Sequence, residues 1–339
     1  MKKTILAASV AALCSISAQA ANVYNADGVS ADVYGRMQFD IKNDDGDTDG
    51  VGSARMGYNA SSVITSDLKA VAKGEWQIDA ESEGDSNESK FTARHLYVGV
   101  ASAEYGQVVF GQSDTAFYQA VAATDIFNTY GYEAFTAIED GRQPGQIIYN
   151  GSFDGFYVGA SYQFQDDNYT FQIGNPDNPE DVNDAGQLDG SYALTLGYEF
   201  DFGLAVYGGY HLEEFQNDDK HNYALSAAYT INELYLGAVF AMADYDSNKL
   251  YGYDFVASYD LSELTTGLSV YTGYATQDAQ DGWETLAGTD SPTEALKLGL
   301  QYKLNSNAKT WIEFRNDSSD VAKDANEEQQ VTAAIQYNF

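Results

Sequence analysis

The sequence predicts an all-β fold: a sixteen-stranded antiparallel transmembrane β-barrel with its third long loop folded inward. Three observations lead there. Segments of about ten residues alternate apolar and polar side chains along nearly the whole chain, sixteen of them, and an even count of such segments marks a membrane barrel. The links between them alternate long and short, which puts tight turns at one rim and extended loops at the other. Ionisable residues recur in mid-segment, where a charge on a lipid-facing surface costs about 2–4 kcal/mol, so the face that bears them needs water.

Charged residues make up 20% of the 339, and no apolar run approaches the ~18–20 residues of a membrane helix. The short apolar block at residues 5–13 follows Met1-Lys2-Lys3 and precedes Ser17-Ala18-Gln19-Ala20. A basic start, an apolar core and a small-residue exit read as a secretory signal peptide, residues 1–20, cut after Ala20. The only cysteine, Cys14, lies inside it, preceded by Leu13 and not by the small residue a lipoprotein site needs. The chain from residue 21 is therefore cysteine-free, which excludes disulfides and thiol chemistry. Without Lys2 and Lys3 it keeps 15 basic residues against 51 acidic ones, a net charge of −36. That excludes nucleic acid as a partner, because phosphate contacts need a basic surface. Disorder is excluded by 27 tyrosines and 14% aromatic content.

In chain order, residues 21–30 show no pattern. Residues 31–41 form the first strand: Ala31, Val33, Gly35, Met37, Phe39 and Ile41 alternate with Asp32, Tyr34, Arg36, Gln38 and Asp40. Similar segments cover 53–64, 68–79, 90–101, 106–112, 146–152, 155–165 and 191–200. Eight more follow at 204–213, 222–230, 234–243, 250–259, 265–275, 294–304, 308–315 and 330–339. The predicted long links are 42–52, 80–89, 113–145, 166–190, 214–221, 244–249, 276–293 and 316–329. Soluble strands stay near 5–6 residues, and a soluble sandwich has no reason to place every long link on one side.

Residues 113–145 are the longest stretch without alternation, and a loop of this length in a compact domain is usually functional. It carries Asp125, Glu133, Glu139, Asp140 and Arg142, and we read it as the segment that narrows the pore. Strands running to the short-turn rim end in aromatics on the apolar face: Phe200, Tyr229, Tyr259, Tyr302 and Phe339. Rings in that position suit a belt at the membrane–water boundary. The other face presents Asp32, Arg36, Asp40, Lys73, Glu75, Glu199, Glu213, Asp254, Lys297, Lys303, Lys309, Glu313 and Arg315. Sixteen strands enclose more space than side chains fill, so this face lines an aqueous channel.

Local motifs then point to a family. Val33-Tyr34-Gly35-Arg36, Ala54-Arg55-Met56-Gly57-Tyr58, Tyr105-Gly106-Gln107 with Phe110-Gly111, Thr124-Asp125-Ile126, Gly141-Arg142 and the closing Tyr337-Asn338-Phe339 resemble the general diffusion porins of Gram-negative outer membranes. The resemblance covers the chain from residue 21 onward. It implies a homotrimer in the cell outer membrane that passes small hydrophilic solutes and ions by diffusion, without a cofactor. It implies a partner in the assembly machinery that reads the terminal Phe339, and contact with outer-membrane lipid and lipopolysaccharide. The loop acids Glu81, Glu83, Asp85 and Glu88 read either as solvated charge or as a bridge to lipopolysaccharide through divalent cations. It also implies a pore constriction with Arg36, Arg55, Arg94 and Arg142 on the basic side and Asp125 and Glu133 on the acidic side. The family commonly has Pro-Glu-Phe-Gly-Gly after the Asp-Ile-Phe equivalent; here Asn128-Thr129-Tyr130-Gly131-Tyr132 follows Phe127, so Thr129 stands where the loop glutamate is usual. Residues 91–100 carry apolar side chains on both faces, which suits a strand at a subunit contact and makes Arg94 the odd member of its set.

Other chemistries fit less well. Asp45-Gly46-Asp47-Thr48-Asp49-Gly50 imitates an EF-hand start, but the twelfth position is Met56 and no helix flanks it. Ser113 lacks the G-x-S-x-G frame of a nucleophile elbow. His95, His211 and His221 have no metal-ligand spacing, and His211 with Glu213 and Asp254 has no partnered serine for a barrel hydrolase. Neither a catalytic set nor a metal site is therefore expected. A sugar-specific channel is the nearer alternative, with inward Tyr157, Tyr207 and Tyr235 as part of an aromatic slide. The acidic excess predicts a preference for cations.

Overall fold

The computed structural model describes residues 20–44, 46–79, 91–131, 133–138, 141–173, 183–283, 289, 291–325 and 328–339. Residues 1–19 of the expected signal peptide, the loop acids Glu81, Glu83, Asp85 and Glu88, and Glu139 and Asp140 lie outside the described residues.

Strands β1 (Ala21–Ala26), β2 (Val29–Asp44), β3 (Asp47–Val63), β4 (Leu68–Asp79), β5 (Phe91–Ser102) and β6 (Gly106–Asp114) precede the non-alternating segment. After it come β7 (Arg142–Phe153), β8 (Phe156–Ile173), β9 (Asn183–Glu199), β10 (Leu204–Phe215), β11 (Asp219–Ile231) and β12 (Leu234–Tyr245). The chain ends with β13 (Asn248–Asp260), β14 (Leu268–Gln280), β15 (Glu294–Lys303), β16 (Ala308–Asp317), a short helix α1 (Asp320–Ala325) and β17 (Gln329–Asn338). Each strand from β2 to β17 pairs antiparallel with its chain neighbours, and β17 pairs with β2, so sixteen strands close on themselves. All sixteen predicted segments are strands of this ring.

The closure has a seam. β17 covers β2 from Asp44 down to Arg36, and Gly35 and Phe339 then exchange backbone hydrogen bonds of 2.9 and 3.0 Å. β1 takes over the same edge, pairing Ala21 with Val33 and Ala26 with Val29 through a turn at Asp27 and Gly28, both at positive φ. Gly35 leaves room for the terminal ring: a Cβ there would lie 2.4 Å from Phe339 Cζ.

The structure corrects the predicted links. Residues 42–44 and 47–52 are strand, with β2 and β3 paired out to Asp44 and Asp47. Much of 166–190 is the extended end of the β8–β9 hairpin, and the links predicted at 214–221 and 244–249 shrink to residues 216–218 and 246–247. The patternless residues 21–30 contain β1. The common reason is that apolar alternation records contact with hydrocarbon, while the hydrogen-bond ladder continues wherever backbone groups find partners.

The two faces are inverted relative to a soluble protein, as successive residues show. Phe255 is 53% exposed beside Asp254 at 0%, Leu298 48% beside Lys297 at 0%, and Ile312 48% beside Glu313 at 0%. The exposed face is thus the apolar one, and the covered face holds the charges. Ring contacts Phe156–Tyr198 (4.5 Å), Tyr198–Phe200 (4.6 Å), Phe200–Phe202 (5.2 Å) and Phe202–Tyr229 (6.5 Å) run along the short-turn rim as a continuous band.

If this face meets hydrocarbon, Ile312→Arg at mid-strand lowers unfolding stability in lipid vesicles by about 2–4 kcal/mol. Urea unfolding of vesicle-bound protein measures it, and an unchanged midpoint would put Ile312 outside the hydrocarbon.

Candidate functional site

Residues 115–131, 133–138 and 141 lie outside the strands, and small side chains such as Ala116, Ala120, Ala122 and Ala123 offer a strand no alternating pattern. Three 3-10 turns form instead, at Ala116–Ala120, Ala122–Thr124 and Glu133–Phe135. The first lies against β7–β11, the second against β11–β13 and the third against β13 and β14. Phe117, Val121, Ala123, Phe135 and Ile138 bury themselves among Ala205, Ala224, Ala228, Val239, Ala241 and Ala275, which belong to the covered face of those strands.

The tip of the segment is held by one carboxylate. Glu313 on β16 accepts hydrogen bonds from the backbone N–H groups of Asn128 (2.8 Å), Thr129 (2.9 Å) and Tyr130 (3.2 Å). It also accepts from Asn128 Nδ2 (3.2 Å) and the Tyr271 hydroxyl (2.7 Å). Trp311 Nε1 donates to Thr129 Oγ1 (3.1 Å), Tyr130 and Thr332 share a hydroxyl contact of 2.7 Å, and Lys309 Nζ donates to Asn128 Oδ1. A fully buried carboxylate is costly unless its lone pairs are satisfied, and here five donors satisfy them.

The four predicted arginines come together in a band across β2–β7. Arg36 and Arg55 are cross-strand partners. Gln77 Oε1 on β4 accepts from both Arg55 Nε (3.0 Å) and Arg94 Nη1 (3.1 Å), and Arg94 Nε pairs with Glu75 at 2.8 Å. Arg142 opens β7 opposite Asp114, with Nη1 3.4 Å from its carboxylate. Arg94 joins the band through a bulge: Glu75 faces His95 while Trp76 faces Ala93, so Arg94 is the extra residue, turned to the charged face. That bulge is why residues 91–100 lack alternation. Among the described residues, Arg36 and Arg55 have no carboxylate within ion-pair distance.

The acidic residues divide. Asp125 accepts from the Tyr118 hydroxyl at 2.9 Å, and burial pushes its carboxyl above the ordinary range while Tyr118 and the Lys297 and Arg142 charges oppose that. Glu133 is joined to Arg315 (2.7 Å) on β16 and Lys297 (3.6 Å) on β15, and burial raises its carboxyl against the pull of those two cations.

A model of the family described as Gram-negative porin matches residues 7–339. The chain belongs to the Gram-negative porins. Outer membrane protein U of Vibrio parahaemolyticus is 28% identical over 361 residues, covering 100% of both chains. Outer membrane porin F of Salmonella typhi is 27% identical over 379 residues, again with 100% of each covered. A solved structure of Salmonella typhi OmpF in complex with daunomycin superposes with a TM-score of 0.76 at 23% identity, over 94% of this chain and all of that one. An anion-selective porin from Comamonas acidovorans gives 0.68 at 18% identity, over 92% and 100%. These solved structures share the fold. The chain is accordingly an outer-membrane porin of the Gram-negative cell envelope.

Within this porin the sequence left some partners unseen. Glu313 was legible as an inward charge from alternation, yet nothing marked it as the clasp of the loop tip. Gln77 and Asp114, which tie the arginine band together, carry no sequence signal of that role. The three tyrosines of the sugar-slide alternative are committed elsewhere: Tyr157 donates to Asn150 (2.7 Å), Tyr207 to Glu199 (2.5 Å) and Tyr235 to the Ala123 carbonyl (2.6 Å). Glu213 is closed off with Lys220 (2.9 Å), Asn222 (2.7 Å) and Tyr169 (2.8 Å), and buried His211 lies against Phe117.

Glu313→Ala orphans three backbone donors, at about 1–3 kcal/mol each where they stay buried. The expected result is a loosened loop tip in a barrel that still folds, seen as changed single-channel conductance and higher open-channel noise.

Proposed function

We propose that the chain is a passive channel without chemistry of its own, through which small hydrophilic solutes and ions diffuse, with residues 113–145 narrowing the passage. The observation that carries this is the charged face of the closed sixteen-strand ring, with the arginine band of β2–β7 on one side and residues 115–141 resting on the other. A segment of that length touching β7 through β14, with its tip on β16, reaches so many strands by crossing the interior; the outer circumference is far longer. The neck lies between Arg36, Arg55, Arg94 and Arg142 and the loop acid Asp125, with Glu133 neutralised by Lys297 and Arg315. Opposed charges across a narrow aqueous path orient dipolar solutes and weight the passage of ions. Diffusion is favoured over a sugar-specific slide because Tyr207 is 3% exposed and Tyr157 and Tyr235 pack half-buried against the apolar seat of the loop, which leaves their ring faces little room to stack on a sugar.

The acid excess from residue 21 onward, 51 against 15, favours cations at the mouths, where the Debye length of about 10 Å at 0.1 M salt lets it act. A homotrimer, cleavage after Ala20, lipopolysaccharide at the loops and reading of Phe339 during assembly complete the proposal. One OmpT structure from Vibrio cholerae, 18% identical, is described as a trimer form.

Planar-bilayer recording tests it. A tenfold KCl gradient at low salt is expected to give a cation-selective reversal potential, and closure in three equal steps would mark the trimer. Arg55→Gln, which removes an arginine lacking a carboxylate partner, is expected to shift the reversal potential further toward cations. Anion selectivity in the unaltered protein would sink the charge reading, and the absence of any conductance would sink the channel.

A further inference from the structure

The loop could be placed by charge or by shape, and the wall beneath it decides. Where residues 115–141 cross the strands, the covered face repeatedly offers glycine. A Cβ on Gly237 of β12 would lie 2.3 Å from the Ala123 carbonyl oxygen, and one on Gly252 of β13 would lie 2.0 Å from the Ala134 oxygen. These are backbone atoms, with no flexible end to swing aside. Neighbouring donors hold both carbonyls over their glycines. The Tyr235 hydroxyl donates to Ala123 O at 2.6 Å, and Gln277 Nε2 donates to Ala134 O at 3.3 Å and Thr136 O at 2.9 Å. Thr293 Oγ1 bonds Gln277 Oε1 at 3.1 Å and so fixes which way the amide points. Each site therefore pairs a missing side chain, which lets the loop backbone rest on the sheet, with a donor that holds it there.

We infer that Gly237 and Gly252, with Tyr235 and Gln277, are positioning residues that set the width of the channel. The inference rests on the reading of residues 113–145 as the narrowing segment and adds what determines its depth. In a ring of sixteen strands the one opposite β12 is β4 and the one opposite β13 is β5. Those strands carry Glu75, Gln77 and Arg94 of the basic band. A methyl group at either glycine must lift the loop carbonyl to ordinary contact, a displacement on the order of 1 Å, and the free direction is toward that band. Neither glycine touches a solute; both act through the loop.

The test is single-channel conductance and liposome swelling with neutral sugars of increasing size, on purified protein in its native oligomeric state. Gly237→Ala and Gly252→Ala are expected to lose conductance and to exclude smaller sugars than the unaltered protein does. Gly208→Ala, on the exposed face with its nearest neighbour at 3.9 Å, is the control expected to change neither. Wild-type conductance and sugar cut-off in folded Gly237→Ala and Gly252→Ala overturn the inference. If Glu313→Ala still alters the current in that case, the loop narrows the channel and something else sets its depth; if it too is silent, the narrowing reading falls as well. Should a glycine variant fail to fold, Tyr235→Phe removes only the donated hydroxyl. Raised open-channel noise then supports the inference, and wild-type noise overturns it.

Discussion

In hydrocarbon there is no water to satisfy an open strand edge, so a β-sheet that crosses a membrane must pair its last strand with its first. Nearly everything else in this protein follows from that closure. Because the ring is shut, alternation sorts every strand into a face toward lipid and a face toward the lumen, and the charges of β13, β15 and β16 are tolerable only on the second. The seam shows how tightly the requirement is met. β17 and β1 share one edge of β2 end to end, and Gly35 makes room for the ring of Phe339 where they meet.

Closure also creates the problem that the segment after β6 answers in the function we propose. Sixteen strands enclose a lumen too wide for side chains to fill, and a wide hole has little power to discriminate. On that proposal a folded segment laid on one wall reduces it, but a segment in water needs its own reason to stay. Here there are two of different kind: an apolar seat of alanines and glycines under the 3-10 turns, and the Glu313 carboxylate clasping three consecutive N–H groups at the tip. Burying a carboxylate unpaired is expensive, whereas one that accepts five hydrogen bonds acts as a specific clasp.

Much of this architecture was legible in advance and the shortfalls have physical causes. The sixteen segments and their faces follow from side-chain alternation, which hydrocarbon imposes residue by residue. The loops at 42–52 and 166–190 were misread because strands outrun the apolar band, and the ladder that carries them is made by backbone atoms common to every residue. Arg94 looked out of place because a bulge opposite Glu75 and Trp76 turns it inward, and a bulge leaves only a lapse in alternation as its trace. The sequence offers Glu133 for the acidic side of the constriction and carries no signal of its ion pairs with Lys297 and Arg315, which lie on strands more than 160 residues away.

By itself the sequence determined the class of fold, the strand count, which face meets lipid and which residue types line the water path, because each of these is written in local periodicity. What only the tertiary structure decided is who faces whom across the lumen. Asn128 and Glu313 are 185 residues apart, and Ala134 lies over Gly252 without any local pattern to announce it. Such contacts depend on how far the ring has turned before the chain meets itself again, and periodicity carries no record of that.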